Sequence, residues 1–292
     1  MISPKNMLIL IKSRYVAVLL YTSGIIGNLI ALTDFRISPL IFLMAVGSLS
    51  LATVSAYILS DLMDLNEDRL NSPNRPLPSG KVSVNDARTL IITSLALGVV
   101  IALTINYLTA TLIFVTFILS SLYSLPFIRA KDRYYSKSLI SWMGGFVGTF
   151  IASAVILKFS LLSILISSLD GFLIMLLVMI GDVIDYEGDK KAGVKSLAVT
   201  FGIEKATLAI EIVLALVIAI TASILYISYN EISPMFFLIS SAATFLVYKY
   251  IYSLKNSGFK RERAKLVKQA LRALYFSVQI SIILGFFIYF II

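Results

Sequence analysis

The sequence predicts an all-α membrane protein, and its composition is the first reason. Apolar residues make up 59% of the 292 residues and charged residues only 14%, against about 45–50% and about 25% in soluble domains. So few charges cannot cover the surface of a water-soluble protein of this length. Nine apolar runs recur, each long enough to cross about 30 Å of hydrocarbon as a helix. We place these runs at 15–33, 38–60, 90–108, 110–128, 139–157, 161–181, 206–227, 234–254 and 273–292.

The basic residues divide unequally between the two sides of these spans. With the N-terminus inside the cell, the inner segments contain 23 of the 25 lysines and arginines, and only Arg36 and Lys158 fall outside. Cytoplasmic loops of membrane proteins carry such an excess. The sequence therefore predicts a multi-pass protein of the cell membrane with a cytoplasmic N-terminus and an external C-terminus.

The chain contains neither cysteine nor histidine. Thiol nucleophiles, zinc clusters and Ser-His-Asp triads are therefore excluded. A metal ion must bind through oxygen ligands, which favours a hard cation such as Mg²⁺. Since the net charge of +9 follows the predicted topology, we expect membrane lipids around the protein, no nucleic-acid partner and no obligatory protein partner.

Half of the sixteen acidic residues lie in two windows of eight residues, and both windows contain D-x-x-D-x-x-x-D. The copies are 121 residues apart, and each follows the predicted inner end of a span, the second and the sixth. Offsets of 0, 3 and 7 place three carboxylates on one face of a helix. Three like charges at the mouth of a low-dielectric bundle are unfavourable unless cations neutralise them. The aspartates of the first and second motif are Asp61, Asp64, Asp68 and Asp182, Asp185, Asp189.

One such window alone is more typical of a solvated helix end, but two matched windows on one side of the membrane predict facing carboxylate clusters that bind Mg²⁺. Mg²⁺ held by a few carboxylates completes its shell with water and phosphate oxygens. Basic residues surround both motifs; singly they indicate topology, but together with the acids they predict a diphosphate site. These residues are Arg75, Lys81, Arg129, Lys131, Arg133, Lys190, Lys191 and Lys195.

That combination of charges predicts a reaction. Metal ions and cationic side chains stabilise the charge that develops on a departing diphosphate. If the leaving carbon is allylic, an apolar pocket that excludes water protects the resulting cation until an acceptor attacks. The 15 tyrosines and 18 phenylalanines can provide a ring-lined pocket through cation–π contacts.

At these residues the chain resembles the UbiA superfamily of intramembrane prenyltransferases. The first motif is followed by LNSPNRPLPSG at 70–80, which is similar to the family's N-x-P-x-R-P-x-P-S-G run. The second motif and its continuation, DVIDYEGDKKAGVKSLA at 182–198, are also similar, as are Tyr123-Ser124 and Lys131. The resemblance implies one domain over 1–292, with nine transmembrane helices in a bundle whose central cavity opens to the cytoplasmic side. Its motif-bearing loops would be 61–89 and 182–205.

The resemblance also implies roles for individual residues. The six aspartates would hold two Mg²⁺ ions that bridge a prenyl diphosphate. Asn28 would face the cavity or make an interhelical hydrogen bond. Ser60 stands where the family usually has asparagine. Asp170 is expected to face the bundle interior or outer water. The catalytic group would be Asp64, Asp68, Asp185, Asp189 and Tyr123, and the substrate-binding group Lys12, Asn28, Arg75, Ser79, Lys131, Lys190 and Lys191.

The acceptor is less constrained than the prenyl donor. The two motif-bearing runs look most like the archaeal branch that prenylates geranylgeranylglyceryl phosphate, with an aromatic quinone precursor such as 4-hydroxybenzoate as the alternative. A cation transporter is a more distant alternative, because transporter acids usually lie near the midplane rather than at helix ends. CDP-alcohol phosphotransferases carry a D-G-x-x-A-R core that this chain lacks, and soluble prenyl synthases lack the spans.

Overall fold

The computed structural model describes residues 3–33, 35–126, 128–228, 235–256 and 261–291. These residues form thirteen α-helices and a short 3₁₀ helix at Ala130–Asp132, and they contain no strand. The helices are α1 (Pro4–Ser13), α2 (Tyr15–Thr33), α3 (Pro39–Met63), α4 (Leu65–Asn71), α5 (Val84–Ile105), α6 (Tyr107–Ser124), α7 (Tyr134–Ile156), α8 (Leu161–Ile184), α9 (Tyr186–Ala192), α10 (Leu197–Phe201), α11 (Ile203–Ile227), α12 (Met235–Asn256) and α13 (Arg261–Ile291).

Eight helices in the described part of the chain are long and apolar enough to cross a membrane: α2, α3, α5, α6, α7, α8, α11 and α13. The prediction of an all-α, multi-pass membrane protein is therefore confirmed. The predicted span at 234–254 overlaps α12, a helix of 22 residues, and its passage across the membrane stays a prediction. The central cavity open to one side also stays a prediction.

Several helices continue beyond the predicted apolar runs. Helix α5 begins at Val84 instead of 90, α7 at Tyr134 instead of 139, and α13 at Arg261 instead of 273. An apolar run marks only the part of a helix that lies in hydrocarbon, so polar turns that extend it into water are missed. Helices α5 and α6 are joined at Asn106, whose side-chain oxygen accepts a 2.8 Å hydrogen bond from Thr109 N and caps α6.

Small residues bring α7 and α2 together. A Cβ atom on Gly148 would lie 2.8 Å from Cδ1 of Tyr21, and one on Gly144 would lie 3.2 Å from the Tyr21 hydroxyl. Only a glycine leaves room for the buried Tyr21 ring at Gly148. Gly144 and Gly148 thus form a small-xxx-small pair that allows a close contact between the two helices.

Asp170 lies in the bundle interior, where α8 faces α13. Its side chain is fully buried, and the Gln279 amide donates a hydrogen bond to Asp170 Oδ1. Helix α2 also passes close, since a Cβ on Gly24 would lie 2.9 Å from Asp170 Oδ2. The first of the two positions expected for Asp170, the bundle interior, is confirmed.

Candidate active site at the two acidic motifs

The two acidic motifs have the same backbone conformation. Helix α3 ends at Met63, and Asp64 follows with φ −93° and ψ 7° before the seven residues of α4. Helix α8 ends at Ile184, and Asp185 follows with φ −95° and ψ 9° before the seven residues of α9. In each motif the middle aspartate therefore ends a long helix and begins a short one.

The expectation that one uninterrupted helix carries all three carboxylates of a motif was consequently wrong. Aspartate is a poor residue for a helix interior, because its carboxylate competes for backbone groups. The shared orientation nevertheless survives the break in the first motif. Arg75 Nη1 lies 2.6 Å from Asp68 Oδ2 and 3.7 Å from Asp61 Oδ1, so the first and third carboxylates face the same cation.

Arg14 is a second cation at the first motif. Its Nε donates a 2.8 Å hydrogen bond to Asp61 Oδ2, and Asp61 is buried. The pKa of Arg14 lies below its usual value, first because burial disfavours the charged guanidinium and then because Arg75 repels it. Lys12, one of the predicted substrate-binding residues, is exposed on α1. Among the described residues, Arg14 rather than Lys12 contacts the aspartates of the first motif.

At the second motif, burial differs strongly among the three aspartates. Asp182 is 1% exposed; Lys137 donates to its Oδ1, and the Leu197 backbone N–H donates to its Oδ2 at 2.9 Å. Asp185 is 58% exposed, with Arg261 Nη2 3.6 Å from its Oδ1. The pKa of the half-buried Asp189 is raised, chiefly because burial disfavours its charged form.

The connection between α6 and α7, together with the first turn of α7, reaches both motifs. Lys131 Nζ lies 2.5 Å from Asp64 Oδ1 in the first motif, and Lys137, six residues later, pairs with Asp182 in the second. The connection also pairs with the segment after the second motif, since Tyr134 N donates to Lys195 O at 2.9 Å. The two motifs are thereby held at one end of the helices.

Tyr123 lies between the two motifs, at the end of α6. It is within electrostatic range of Asp64, Asp182 and Lys137. Next to it, the hydroxyls of Ser124 and Ser60 are 2.6 Å apart and can hydrogen-bond to each other. Ser60, which replaces the usual asparagine of the resembled family, thus joins the end of α3 to the end of α6 immediately before the first motif.

The remaining predicted binding residues divide into exposed and buried ones. Lys190 and Lys191 are exposed in the last turn of α9, and Lys190 Nζ lies 5.8 Å from the centroid of the Tyr186 ring. Ser79 is also exposed, and its hydroxyl donates to Pro76 O at 3.3 Å.

Asn28 is fully buried. Its amide donates to Thr149 O at 3.0 Å and to Ser167 Oγ at 3.1 Å, so it links α2 to α7 and α8. Of the two roles expected for Asn28, these contacts support the interhelical hydrogen bond.

The carboxylates suit a hard divalent cation in type, because all the donors are oxygen atoms. In position, five of the six aspartates lie within 4 Å of a lysine or arginine nitrogen. Among the residues that the structure describes, no three acids converge on one metal-sized point. Sequence reasoning missed the pairing role of Arg14 and Lys137, since both count as ordinary topology-determining cations in the sequence.

Comparison with known proteins settles the family. The model of the UbiA prenyltransferase family matches residues 19–288. The chain belongs to this family. It is 28% identical over 245 residues to the digeranylgeranylglyceryl phosphate synthase of Sulfolobus acidocaldarius, a match that covers 80% of this chain and 82% of that protein.

Solved structures agree with this family in fold. A digeranylgeranylglyceryl phosphate synthase structure superimposes with a TM-score of 0.76 at 24% identity, covering 97% of this chain and 98% of that one. A UbiA homologue from Archaeoglobus fulgidus, bound to GPP and Mg²⁺, superimposes with a TM-score of 0.70 at 22% identity, covering 94% and 99%. At these sequence identities, the structural similarity shows that this UbiA-family chain shares the fold of both solved structures.

Replacing Lys137 with methionine should lower the free energy of unfolding by about 3–5 kcal/mol, because it leaves a buried carboxylate at Asp182 without its cation. The double variant Lys137→Met/Asp182→Asn should recover most of that loss. Thermal unfolding of the detergent-solubilised protein measures both. Lys265→Met, which removes an exposed pair with Glu262, is the control and should cost less than about 1 kcal/mol. Equal losses in the single and double variants would contradict the pairing.

Proposed function

We propose that this UbiA-family protein transfers a prenyl group, geranylgeranyl, from its diphosphate to geranylgeranylglyceryl phosphate in archaeal ether-lipid synthesis. The observation that carries the proposal is the pair of matched acidic motifs, held at one end of the membrane helices by Lys131 and Lys137. The name and the coverage of the Sulfolobus relative support the choice of acceptor. A cation transporter is disfavoured, because these acids lie at the ends of α3 and α8 instead of their middles.

Metal binding is part of this proposal. Two Mg²⁺ ions would be held by Asp61, Asp64, Asp68, Asp182, Asp185 and Asp189, and would neutralise charge on the departing diphosphate. Support comes from the donor set, which consists of oxygen atoms alone, and from the Archaeoglobus homologue with its Mg²⁺. When Mg²⁺ binds, it would replace the lysine and arginine side chains as the partner of the aspartate carboxylates.

The cations released from the acids would turn to the diphosphate. Arg75 and Lys131 already lie at the first motif, where Arg75 is 43% exposed and Lys131 16% exposed. Lys190 and Lys191 add positive charge beside the second motif. Arginine and lysine both suit phosphate oxygens, arginine through two parallel hydrogen bonds.

The prenyl chain would extend from the motifs into the bundle past aromatic rings. Tyr123 lies between the motifs, and deeper in the bundle the rings of Tyr57 and Tyr21 meet edge to face with centroids 6.5 Å apart. Such rings exclude water and stabilise a developing allylic cation. Tyr123 would thus contact the reacting end of the substrate.

The acceptor hydroxyl would attack the first carbon of the prenyl group while the bond from that carbon to the diphosphate oxygen breaks. The bonding electron pair leaves with the diphosphate, and the hydroxyl proton passes to solvent.

The proposed acceptor is tested by incubating membranes that contain the protein with labelled geranylgeranyl diphosphate and either geranylgeranylglyceryl phosphate or 4-hydroxybenzoate. Prenylation of the hydroxybenzoate alone would refute it.

We also propose that the acidic motifs face the cytoplasm, as the distribution of lysine and arginine predicts. Because the chain has no cysteine, single cysteines report topology cleanly. A cysteine in place of Ser79 should react with a membrane-impermeant maleimide only after the cells are opened. A cysteine in place of Phe159, between α7 and α8, should react in intact cells. The reverse pattern would overturn the orientation.

Asp64→Asn and Asp185→Asn should each lower the rate of prenyl transfer at least about 100-fold, because each removes a charged metal ligand next to the leaving group. The measurement is prenyl transfer at saturating Mg²⁺ by protein that elutes as a folded species in detergent. Glu187→Gln is the matched control, since Glu187 is an exposed acid in the second window outside the repeated pattern, and it should retain activity. Full activity in both aspartate variants would refute the metal assignment.

Arg75→Ala should raise the KM for prenyl diphosphate about tenfold, which corresponds to the loss of one charge-assisted hydrogen bond. The rate at saturating diphosphate should change less. Arg69→Ala, which alters an exposed cation on α4, is the control and should leave KM unchanged. If Arg75→Ala behaves like this control, the loop serves only to orient the protein in the membrane.

A further inference from the structure

Helix α13 carries a polar stripe that the proposed function has not used. The stripe consists of Lys268, Arg272, Tyr275 and Gln279, at spacings of four, three and four residues. These spacings place the four side chains on one face of the helix. Tyr275 and Gln279 are 1% exposed, so this face points into the bundle rather than towards lipid.

The stripe faces α8 in an antiparallel arrangement with a fixed register. At one end, Lys268 Nζ lies 3.5 Å from the position that a Cβ on Gly181 would occupy. At the other end, Gln279 donates to Asp170. Both intervals, Gly181 to Asp170 and Lys268 to Gln279, are eleven residues. Lys268 is therefore level with the second acidic motif, and Arg272 lies about 6 Å further along the helix axis, towards the membrane interior.

Neither of these two cations is neutralised by a direct contact among the residues that the structure describes. Lys268 lies within electrostatic range of Asp185 and Asp182, but also of Lys137 and Arg272, which repel it. In the described part of the chain, neither Lys268 nor Arg272 forms an ion pair or a side-chain hydrogen bond. Like charges one turn apart disfavour the helix, and partial burial of Arg272 without a counter-charge costs more.

We propose that Lys268 and Arg272 bind the phosphate of the lipid acceptor; this inference rests on the proposed function. An anion between the two side chains offsets both their mutual repulsion and their desolvation. The cations proposed for the diphosphate are Arg75 and Lys131 at the first motif and Lys190 and Lys191 on the exposed last turn of α9. The pair on α13 faces α8 and is separate from all four, so it offers a second anion site that suits a second phosphorylated substrate.

This position also suits the chemistry of the acceptor. Arginine binds two phosphate oxygens at once, and lysine supplies a compact charge. In a glycerol phosphate lipid the reacting hydroxyl is a few bonds from the phosphate. Holding the phosphate next to the second motif therefore keeps that hydroxyl close to the prenyl diphosphate, which the two motifs share.

The test compares the two substrates in steady-state kinetics. Lys268→Ala and Arg272→Ala should each raise the KM for geranylgeranylglyceryl phosphate at least tenfold and change the KM for geranylgeranyl diphosphate less than twofold. Lys265→Ala, an exposed lysine on the same helix that pairs with Glu262, is the matched control and should change neither. With geranylgeranylglycerol, which lacks the phosphate, the wild-type protein and both variants should transfer equally poorly.

Three outcomes would overturn the inference: an unchanged KM for the phosphorylated acceptor, a rise in the KM for the diphosphate instead, or an equal loss against the acceptor without phosphate. If either alanine variant unfolds in detergent, Lys268→Gln and Arg272→Gln give the same comparison, since each removes the charge with less change in volume. If the wild-type protein fails to prenylate any glycerol phosphate lipid, the proposed function itself fails. If the wild-type protein transfers the prenyl group and the variants have the same KM for the phosphorylated acceptor, only the role of Lys268 and Arg272 is refuted.

Discussion

The structure depends on neutralising six carboxylates at the ends of membrane helices. Charges in such a place are strongly disfavoured unless opposite charges lie next to them. The α6–α7 connection and the first turn of α7 meet much of this requirement, because Lys131 reaches the first motif and Lys137 reaches the second. Since the two lysines are only six residues apart, neutralisation also determines how far apart the motifs can lie. The separation of the two motifs therefore follows from an electrostatic requirement.

The repeated break at the middle aspartate gives the site its shape. Asp64 and Asp185 have nearly the same φ and ψ, and each separates a long membrane helix from a seven-residue helix. The first carboxylate of each motif lies on the buried helix and the middle one at its end. Each motif therefore offers carboxylates at different depths, which suits binding a headgroup at the mouth of an apolar bundle.

Contacts in the interior of the bundle determine where α13 lies beside the second acidic motif. The Asp170–Gln279 hydrogen bond sets the register of α13 against α8, and that register brings Lys268 to Gly181, one residue before Asp182. Close packing at Gly24 keeps α2 against the same pair. A polar contact deep among apolar helices thus positions cations that lie about three turns away.

The sequence alone determined the class of the protein, the positions of most spans and the two motifs, because solvent preference and short-range spacing are local properties of the chain. It also indicated the oxygen-only donor set. Only the tertiary structure decided which cation meets which acid: Arg14 rather than Lys12 at Asp61, and Lys137 at Asp182. It likewise decided that Asn28 links helices and that α13 starts well before its apolar run. These outcomes depend on residues far apart in the chain that approach only when the helices pack, and no local pattern contains that information.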